Sequence, residues 1–369
     1  MLSHRERVFL ALEHQAPDRV PVDLGGTQTS ILVEPYNCLK RCLGLDTTTH
    51  VQNMVMGLAQ VEPVVLEMLG IDLRHVWPRM PDTWRLEILP DDSFYDDWGV
   101  RWHRPPGGYY YDMVEHPLAA VTLDAVEQYA WPDPLNPGRI AGARSEAQAL
   151  YAAGEYAIEA GLVGLWESAW FAVGFERWLL ACRGNVAFVE AVLAKTLDVL
   201  VAQHTNFLEQ VGPFLDMVTL WDDYGVQSST LVSPADWRRL VKPGLAKLVA
   251  AIRSMTQAKI GIHSCGDISR LLDDLVEVGI QVINPVQVSA KGMQPAALKQ
   301  RYGKELVFWG GIDTQQLLPY GSPLDVAQAV REAVATLGRD GGYILAAVHN
   351  IQPGVPPENI LAMYTTAME

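Results

Sequence analysis

The sequence predicts an α/β protein of the (β/α)8 class, a TIM barrel, with a small antiparallel β region inserted into it. Short apolar segments that end in polar residues alternate with longer amphipathic segments, a pattern typical of parallel strands joined by right-handed crossover helices. The chain has 369 residues, enough for eight such units in one domain over residues 1–369. The alternative is an open doubly wound sheet, but no G-x-G-x-x-G motif follows the first predicted strand.

Each predicted strand is a short apolar run followed by polar residues or glycine. The chain opens with a mixed-charge helix over about residues 3–13, and the first strand follows at 19–24. Ser233-Pro and Ser322-Pro each begin a later helix, because a capping serine followed by proline is a helix start signal. The other strands, with their polar ends, are predicted at 73–77, 157–164, 217–223, 259–265, 281–287, 306–313 and 343–349.

Residues 80–140 interrupt this alternation. The segment is rich in aromatic residues, prolines and turn pairs, as in Tyr95-Asp-Asp-Trp-Gly-Val-Arg-Trp102 and Trp131-Pro-Asp-Pro134. Alternating side chains between turn residues predict a small antiparallel hairpin layer. Such an insertion either covers the mouth of the barrel or packs on its flank, and the sequence leaves both arrangements open.

Composition and charge restrict the possible partners. A formal net charge of -15 opposes contact with phosphate backbones and anionic lipid, so neither nucleic acid nor a membrane is expected as a partner. The apolar runs are much shorter than the roughly 18 residues of a membrane span. Four cysteines do not resemble a disulfide framework, and the first residues contain no apolar signal core. We therefore expect a cytoplasmic protein.

The most informative motif is Lys259-Ile-Gly-Ile-His263-Ser-Cys265-Gly266. A strand repeats every two residues, so His263 and Cys265 leave the strand end on one face. Imidazole and thiolate together suit a borderline-soft ion such as zinc better than calcium or magnesium. His349, at the end of the last predicted strand, is the candidate third ligand. A buried histidine and an inert thiol are the alternative, but the active site of a barrel lies at the carboxyl ends of its strands, which favours metal ligands.

Other strand ends also carry polar residues. Asp222 and Asp223 are adjacent, and because neighbouring residues on a strand point to opposite faces, only one is expected to face the cavity. Asp223 is the preferred catalytic residue and Asp222 is the alternative. A carboxylate in the cavity could act as acid or base, orient a metal-bound histidine or bind a cationic substrate group, whereas a helix cap or turn former is the structural alternative. The candidate substrate-binding residues are Glu167, Gln227, Asn284, Gln287 and Asp313. Glu167 or Asp223 could also provide a fourth metal ligand.

Several motifs occur in a fixed order along essentially the whole chain. They are Arg5-Glu-Arg-Val8, Pro17-Asp-Arg-Val-Pro-Val-Asp23, Asp222-Asp-Tyr-Gly-Val-Gln227, His263-Ser-Cys-Gly266, Asn284-Pro-Val-Gln287, Gly310-Gly-Ile-Asp313 and Pro356-Pro-Glu-Asn359. This set resembles the uroporphyrinogen decarboxylase superfamily, and within it the branch of cobalamin-dependent methyltransferases that includes the methylcobalamin:coenzyme M enzymes. The resemblance implies a (β/α)8 barrel, zinc bound through the His-x-Cys pair, and a corrinoid (cobalamin) carried by a partner protein.

The chain departs from the patterns of the superfamily at two places. Decarboxylases carry Arg-Gln-Ala-Gly-Arg-Tyr after the first strand to bind substrate carboxylates, where this chain has Leu24-Gly-Gly-Thr-Gln-Thr-Ser30. The similar methyltransferases take a zinc ligand from a cysteine near the last strand, where this chain has Val348-His349-Asn350.

The resemblance therefore implies a zinc-dependent methyltransferase that moves a methyl group between a corrinoid protein and a small thiol, methoxy or similar substrate. A metal-free decarboxylase and a non-catalytic corrinoid- or tetrapyrrole-binding protein are the alternatives. The sequence also allows a homodimer.

Overall fold

The computed structural model describes residues 2–369, in which helices and strands alternate. The helices are α1 His4–Leu12, α2 Val33–Cys42, α3 Pro63–Met68, α4 Leu123–Gln128, α5 Ala143–Ala153, α6 Leu165–Val173, α7 Phe175–Gly184, α8 Val186–Val211, α9 Pro234–Leu240, α10 Lys242–Arg253, α11 Leu272–Glu277, α12 Pro295–Tyr302, α13 Leu317–Tyr320, α14 Pro323–Leu337 and α15 Pro357–Ala367. The strands are β1 Val51–Asn53, β2 Leu58–Ala59, β3 Leu73–Val76, β4 Ser93–Tyr95, β5 Arg101–His103, β6 Asp112–Glu115, β7 Ala157–Val163, β8 Met217–Trp221, β9 Gly225–Val226, β10 Ser229–Thr230, β11 Lys259–His263, β12 Val282–Val286, β13 Val307–Ile312 and β14 Tyr343–Ala347.

Side-chain caps begin the helices at the predicted positions. Ser3 caps α1 and forms a capping box with Glu6. Ser233 and Ser322 cap α9 and α14, each followed by proline in the first turn. Within residues 2–369, no helix combines the length and the apolar character needed to cross a membrane.

The central sheet consists of parallel strands in the order β14-β13-β12-β11-β8-β7-β3. The predicted strand at 19–24 is reduced to one parallel bridge, between Val22 and Leu345 of β14. On its other side the Val22 carbonyl accepts the N–H of Asp72, just before β3, at 2.9 Å. This segment contacts both edge strands and closes the sheet, which confirms the (β/α)8 class. The segment is short because Pro21 has no N–H to extend the ladder.

A buried charge centre at Asp72 holds the amino-terminal end of the barrel together. Its carboxylate accepts hydrogen bonds from Arg7 at 2.8 Å, Arg19 at 2.7 Å, the His4 ring at 2.8 Å and the Val22 N–H at 2.8 Å. Burial raises the pKa of Asp72, but these donors outweigh it and lower the pKa overall. The early motifs Arg5-Glu-Arg-Val8 and Pro17-Asp-Arg19 thus contribute two arginines to barrel closure.

The inserted region contains a three-stranded antiparallel sheet in the order β4-β5-β6. Its apolar face packs on α6, where the Trp102 and Phe171 rings lie 5.9 Å apart. The His116 ring hydrogen-bonds the Phe171 carbonyl at 2.7 Å, and the Leu118 N–H donates to Ala172 at 2.8 Å. The antiparallel region predicted within 80–140 is therefore present, and it is seated on the helix that follows β7.

Candidate metal centre

His263 is the last residue of β11, and its ring orientation is determined by the neighbouring strand. Its Nδ1 lies 2.5 Å from Oδ1 of Asn284, which is its register partner on β12. The ring therefore donates from Nδ1 and keeps the lone pair of Nε2 available as a ligand. Burial lowers the pKa of His263 to about 4, opposed by the Asn284 hydrogen bond, so the imidazole is neutral at pH 7.

Cys265 follows in a tightly held turn. Its Sγ lies 3.4 Å from His263 Nε2, and its N–H donates to Asp223 Oδ1 at 2.7 Å. The next residue, Gly266, donates its N–H to Gln287 Oε1 at 2.7 Å. Gly266 has φ +83, and a Cβ there would lie 2.5 Å from the backbone of Gly225, so the turn requires glycine.

His349 completes the group from the loop after β14. Its ring centroid lies 5.7 Å from that of His263, and its Nδ1 is buried without a hydrogen-bond partner in residues 2–369. Ligand atoms of His263, Cys265 and His349 all lie within 4.8 Å of one another. Two neutral imidazoles and a thiol are a donor set that suits zinc, and an orphaned buried ring nitrogen is consistent with a ligand, so these residues fit a zinc ion.

The two adjacent aspartates have different surroundings. Asp222 is fully buried and its carboxylate accepts hydrogen bonds from the Trp166 and Glu167 N–H groups and from the Tyr224 hydroxyl, at 2.7–3.0 Å. Both of its oxygens are therefore used to cap α6, and burial raises its pKa to about 7. Asp223 Oδ1 instead lies 4.0 Å from His263 Nε2, and about one third of its side chain is exposed. Of the pair, the structure places only Asp223 beside the metal-capable group.

Glu167 lies in the first turn of α6, close to the same group. Burial, followed by the charges of Asp223 and Asp222, raises its pKa well above the usual range. Burial and the charges of Asp223 and Glu167 also raise the pKa of the Cys265 thiol. The raised pKa values favour the protonated forms of Glu167 and Cys265, whereas a cation at the group would favour the charged thiolate.

A cavity of about 680 Å³ opens beside this group, with Cys265 and His349 in its wall. Two predicted substrate-binding residues, Gln227 and Gln287, line it. The other three have different positions. Asn284 orients His263, Glu167 is close enough to the Cys265 thiol to raise its pKa, and Asp313 accepts the N–H groups of residues 315–317 at the start of α13.

Sequence reasoning missed further lining residues, Gln315 and Gln352, which lie in the loops after β13 and β14. Both residues lie two or three positions beyond a predicted strand end, at 313 and 349, and this position could have indicated that they line the cavity.

A second polar cluster inside the barrel was also missed. The His75 ring bridges Asp23 and Glu159, with both nitrogen–oxygen distances 2.9 Å, and all three residues are at most 9% exposed. Burial lowers the pKa of His75, but the charges and hydrogen bonds of Asp23 and Glu159 outweigh it and raise the pKa to about 10. An apolar strand pattern does not reveal this cluster, because its three members come from three separate segments.

The His75 cluster leads to a pH-dependent prediction. Between the unfolded pKa of about 6.5 and the folded value of about 10, the native state holds one proton more than the unfolded chain. The contribution of His75 to stability is thus complete below about pH 6.5 and is lost as the pH rises toward 10, at up to about 1.4 kcal/mol per pH unit. We expect urea unfolding at pH 6 to 10 to show this slope in the unmodified protein and to lack it in His75→Gln. Parallel slopes in the two proteins would contradict a charged His75.

The fold and the site place the protein in the class of closed parallel barrels that have a His, Cys, His group at the carboxyl ends of their strands. The uroporphyrinogen decarboxylase (URO-D) family model matches residues 112–369. The chain therefore belongs to the uroporphyrinogen decarboxylase family.

Two individual proteins are similar to this chain. The chain is 28% identical over 142 residues to a methylated-thiol–coenzyme M methyltransferase of Methanosarcina mazei, a match that covers 38% of this chain and 35% of that protein. The matched part thus spans about a third of that relative. A solved structure described as a methyltransferase from Methanosarcina mazei aligns with a TM-score of 0.66 at 18% identity, over 100% of this chain and 99% of that chain. This likeness establishes the fold.

Proposed function

We propose that the protein is a zinc-dependent methyltransferase that moves a methyl group between a corrinoid (cobalamin) on a partner protein and a small thiol, methoxy or similar substrate. The observation that carries the proposal is the convergence of His263, Cys265 and His349 within 4.8 Å of one another, beside a cavity that Cys265 and His349 line. The methyltransferase activity of the Methanosarcina mazei relative supports methyl transfer as the reaction.

His263, Cys265 and His349 would hold the zinc, and a bound zinc ion supplies the Lewis acidity that makes a thiol a stronger acid. The surrounding residues position these ligands. Asn284 holds the His263 ring with Nε2 available, while Asp223 and Gln287 hold the backbone N–H groups of Cys265 and Gly266. Such supporting hydrogen bonds restrict the ligands to one arrangement before any ion binds.

Asp223 is the proposed acid or base of the site. Burial raises its pKa, opposed by the Cys265 N–H and by His349, so the carboxyl is a better proton acceptor than an exposed aspartate. It lies beside the metal-capable group, within reach of a molecule bound there. Gln227 and Gln287 would position the substrate, whereas Asp222 acts through α6, which carries Glu167. We assign Asp222 a positioning role.

The proposal is tested on protein purified without added metal. We expect about one zinc ion per chain by elemental analysis, and methyl exchange when methylcobalamin and a small thiol are added, followed in the cobalt absorption spectrum. Metal-free protein that turns over uroporphyrinogen would establish the decarboxylase alternative. Spectral changes that indicate cobalamin binding without exchange would instead establish a corrinoid-binding protein.

A further inference from the structure

Four glutamines surround the cavity; we call them the glutamine rim, which consists of Gln227, Gln287, Gln315 and Gln352. Two of them are hydrogen-bonded to each other, because Gln227 Nε2 donates to Gln315 Oε1 at 3.4 Å. Gln287 lies deeper and is 7% exposed. Its Oε1 accepts the Gly266 N–H, and its Nε2 donates one hydrogen to Ser289 Oγ at 3.5 Å, which leaves the second Nε2 hydrogen as a neutral donor. The rim therefore presents uncharged amide groups to the cavity.

The titratable side chains beside the Cys265 thiol, other than the two histidines, are acidic. Asp223 and Glu167 both act on the Cys265 thiol, which lines the cavity. Among the described residues 2–369, no lysine or arginine is part of the lining. Lys291 comes near the rim through its backbone N–H, which donates to the Gln227 carbonyl at 2.9 Å, but it is exposed and lies outside the lining. A divalent cation, the Cys265 thiolate and the Asp223 carboxylate together carry no net charge.

We propose that this cavity selects an uncharged thiol or methoxy compound that carries hydrogen-bonding groups, and discriminates against anionic thiols such as coenzyme M, 2-mercaptoethanesulfonate. The inference that the ligand reacts through a thiol or methoxy group rests on the proposed function. The inference that its other end is uncharged rests on the glutamine rim. An anion in a partly buried site needs a net positive charge or charged donors to replace its hydration, and the nearby Asp223 carboxylate repels it. An uncharged hydroxyl or ether oxygen is satisfied by the amide donors alone.

A matched pair of thiols tests the preference by binding, without methyl transfer. We expect calorimetric titration of the zinc-loaded protein to give a dissociation constant about tenfold lower for 2-mercaptoethanol than for 2-mercaptoethanesulfonate, which differ in the terminal group. Equal or tighter binding of the sulfonate would overturn the inference. A protein that holds no zinc would contradict the proposed function instead. The same pair titrated against metal-free protein would still rank the two end groups, because the chain alone builds the rim.

Charge variants test the role of the rim directly. Gln315→Lys, and independently Gln352→Lys, should raise the affinity for the sulfonate about threefold to fivefold, the effect of one exposed charge pair. Zinc content should stay unchanged. Gln328→Lys makes the same charge change on the exposed face of α14, where Gln328 contacts Glu332, and should give no gain. If neither rim variant binds the sulfonate better than Gln328→Lys does, the rim is not the selector.

Discussion

Cys265→Ala is expected to weaken zinc binding by about 100-fold or more and to abolish methyl transfer, while the fold is retained. Cys265 is the only member of the His263, Cys265, His349 group that provides an anionic ligand, and its loss leaves two neutral imidazoles for a divalent ion. Loss of a residue that merely supports a ligand already costs about 10–100-fold in metal affinity, so loss of a ligand should cost at least the upper value. The side chain lies at the cavity wall, so its truncation removes little packing.

Zinc affinity is measured by competition with a chromophoric chelator, and the fold by circular dichroism. Cys38→Ala is the matched control, because Cys38 lies on α2 with a contact from Arg41 and has no part in the group. We expect the control to keep the zinc affinity of the unmodified protein. A Cys265→Ala protein that binds zinc and exchanges methyl groups as well as this control would require us to abandon the proposed metal centre.

Asp72→Asn is expected to reduce the free energy of unfolding by about 3–5 kcal/mol, the usual cost of removing one partner of a buried ion pair. Asp72 has no exposed surface, and it receives hydrogen bonds from Arg7, Arg19 and the Val22 N–H. The asparagine keeps the shape but removes the charge, so two largely buried guanidinium groups lose their shared counter-charge. Because Val22 belongs to the segment that closes the barrel, the loss weakens closure itself.

Urea unfolding compares this variant with Asp273→Asn. The Asp273 carboxylate pairs with Arg301, and both side chains are about two-thirds exposed, so solvent screens the pair and its loss should cost about 1 kcal/mol or less. Equal destabilisation by the two substitutions would show that Asp72 is not the centre that holds the amino-terminal end of the barrel.

The fold class and the core of the candidate site could be predicted because both depend on local pattern. Apolar runs with polar ends marked the strands, and the His263-Ser-Cys265 spacing placed two donors on one face of a strand end. The first strand was predicted too long. Residues 19–24 have the composition of a strand, but Pro21 limits pairing there to a single bridge, at Val22.

Other features could not be predicted because they depend on which distant segments meet. The adjacency of Asp222 and Asp223 indicated that only one would face the cavity. The sequence already favoured Asp223, but the physical reason that Asp222 is not available lies in the start of α6, whose N–H groups occupy both oxygens of Asp222. Likewise, no local pattern in β3 indicates that His75 lies between two carboxylates from other segments.

The sequence by itself determined the succession of strands and helices, the polar strand ends and the pairing of His263 with Cys265, because these follow from backbone periods of two and 3.6 residues. Only the tertiary structure decided that His349 reaches that pair, that Asp222 caps a helix, and that glutamines from separate loops form one rim. Barrel closure brings together strand ends that are far apart along the chain, and hydrogen bonds across these new contacts then decide which polar atoms remain available.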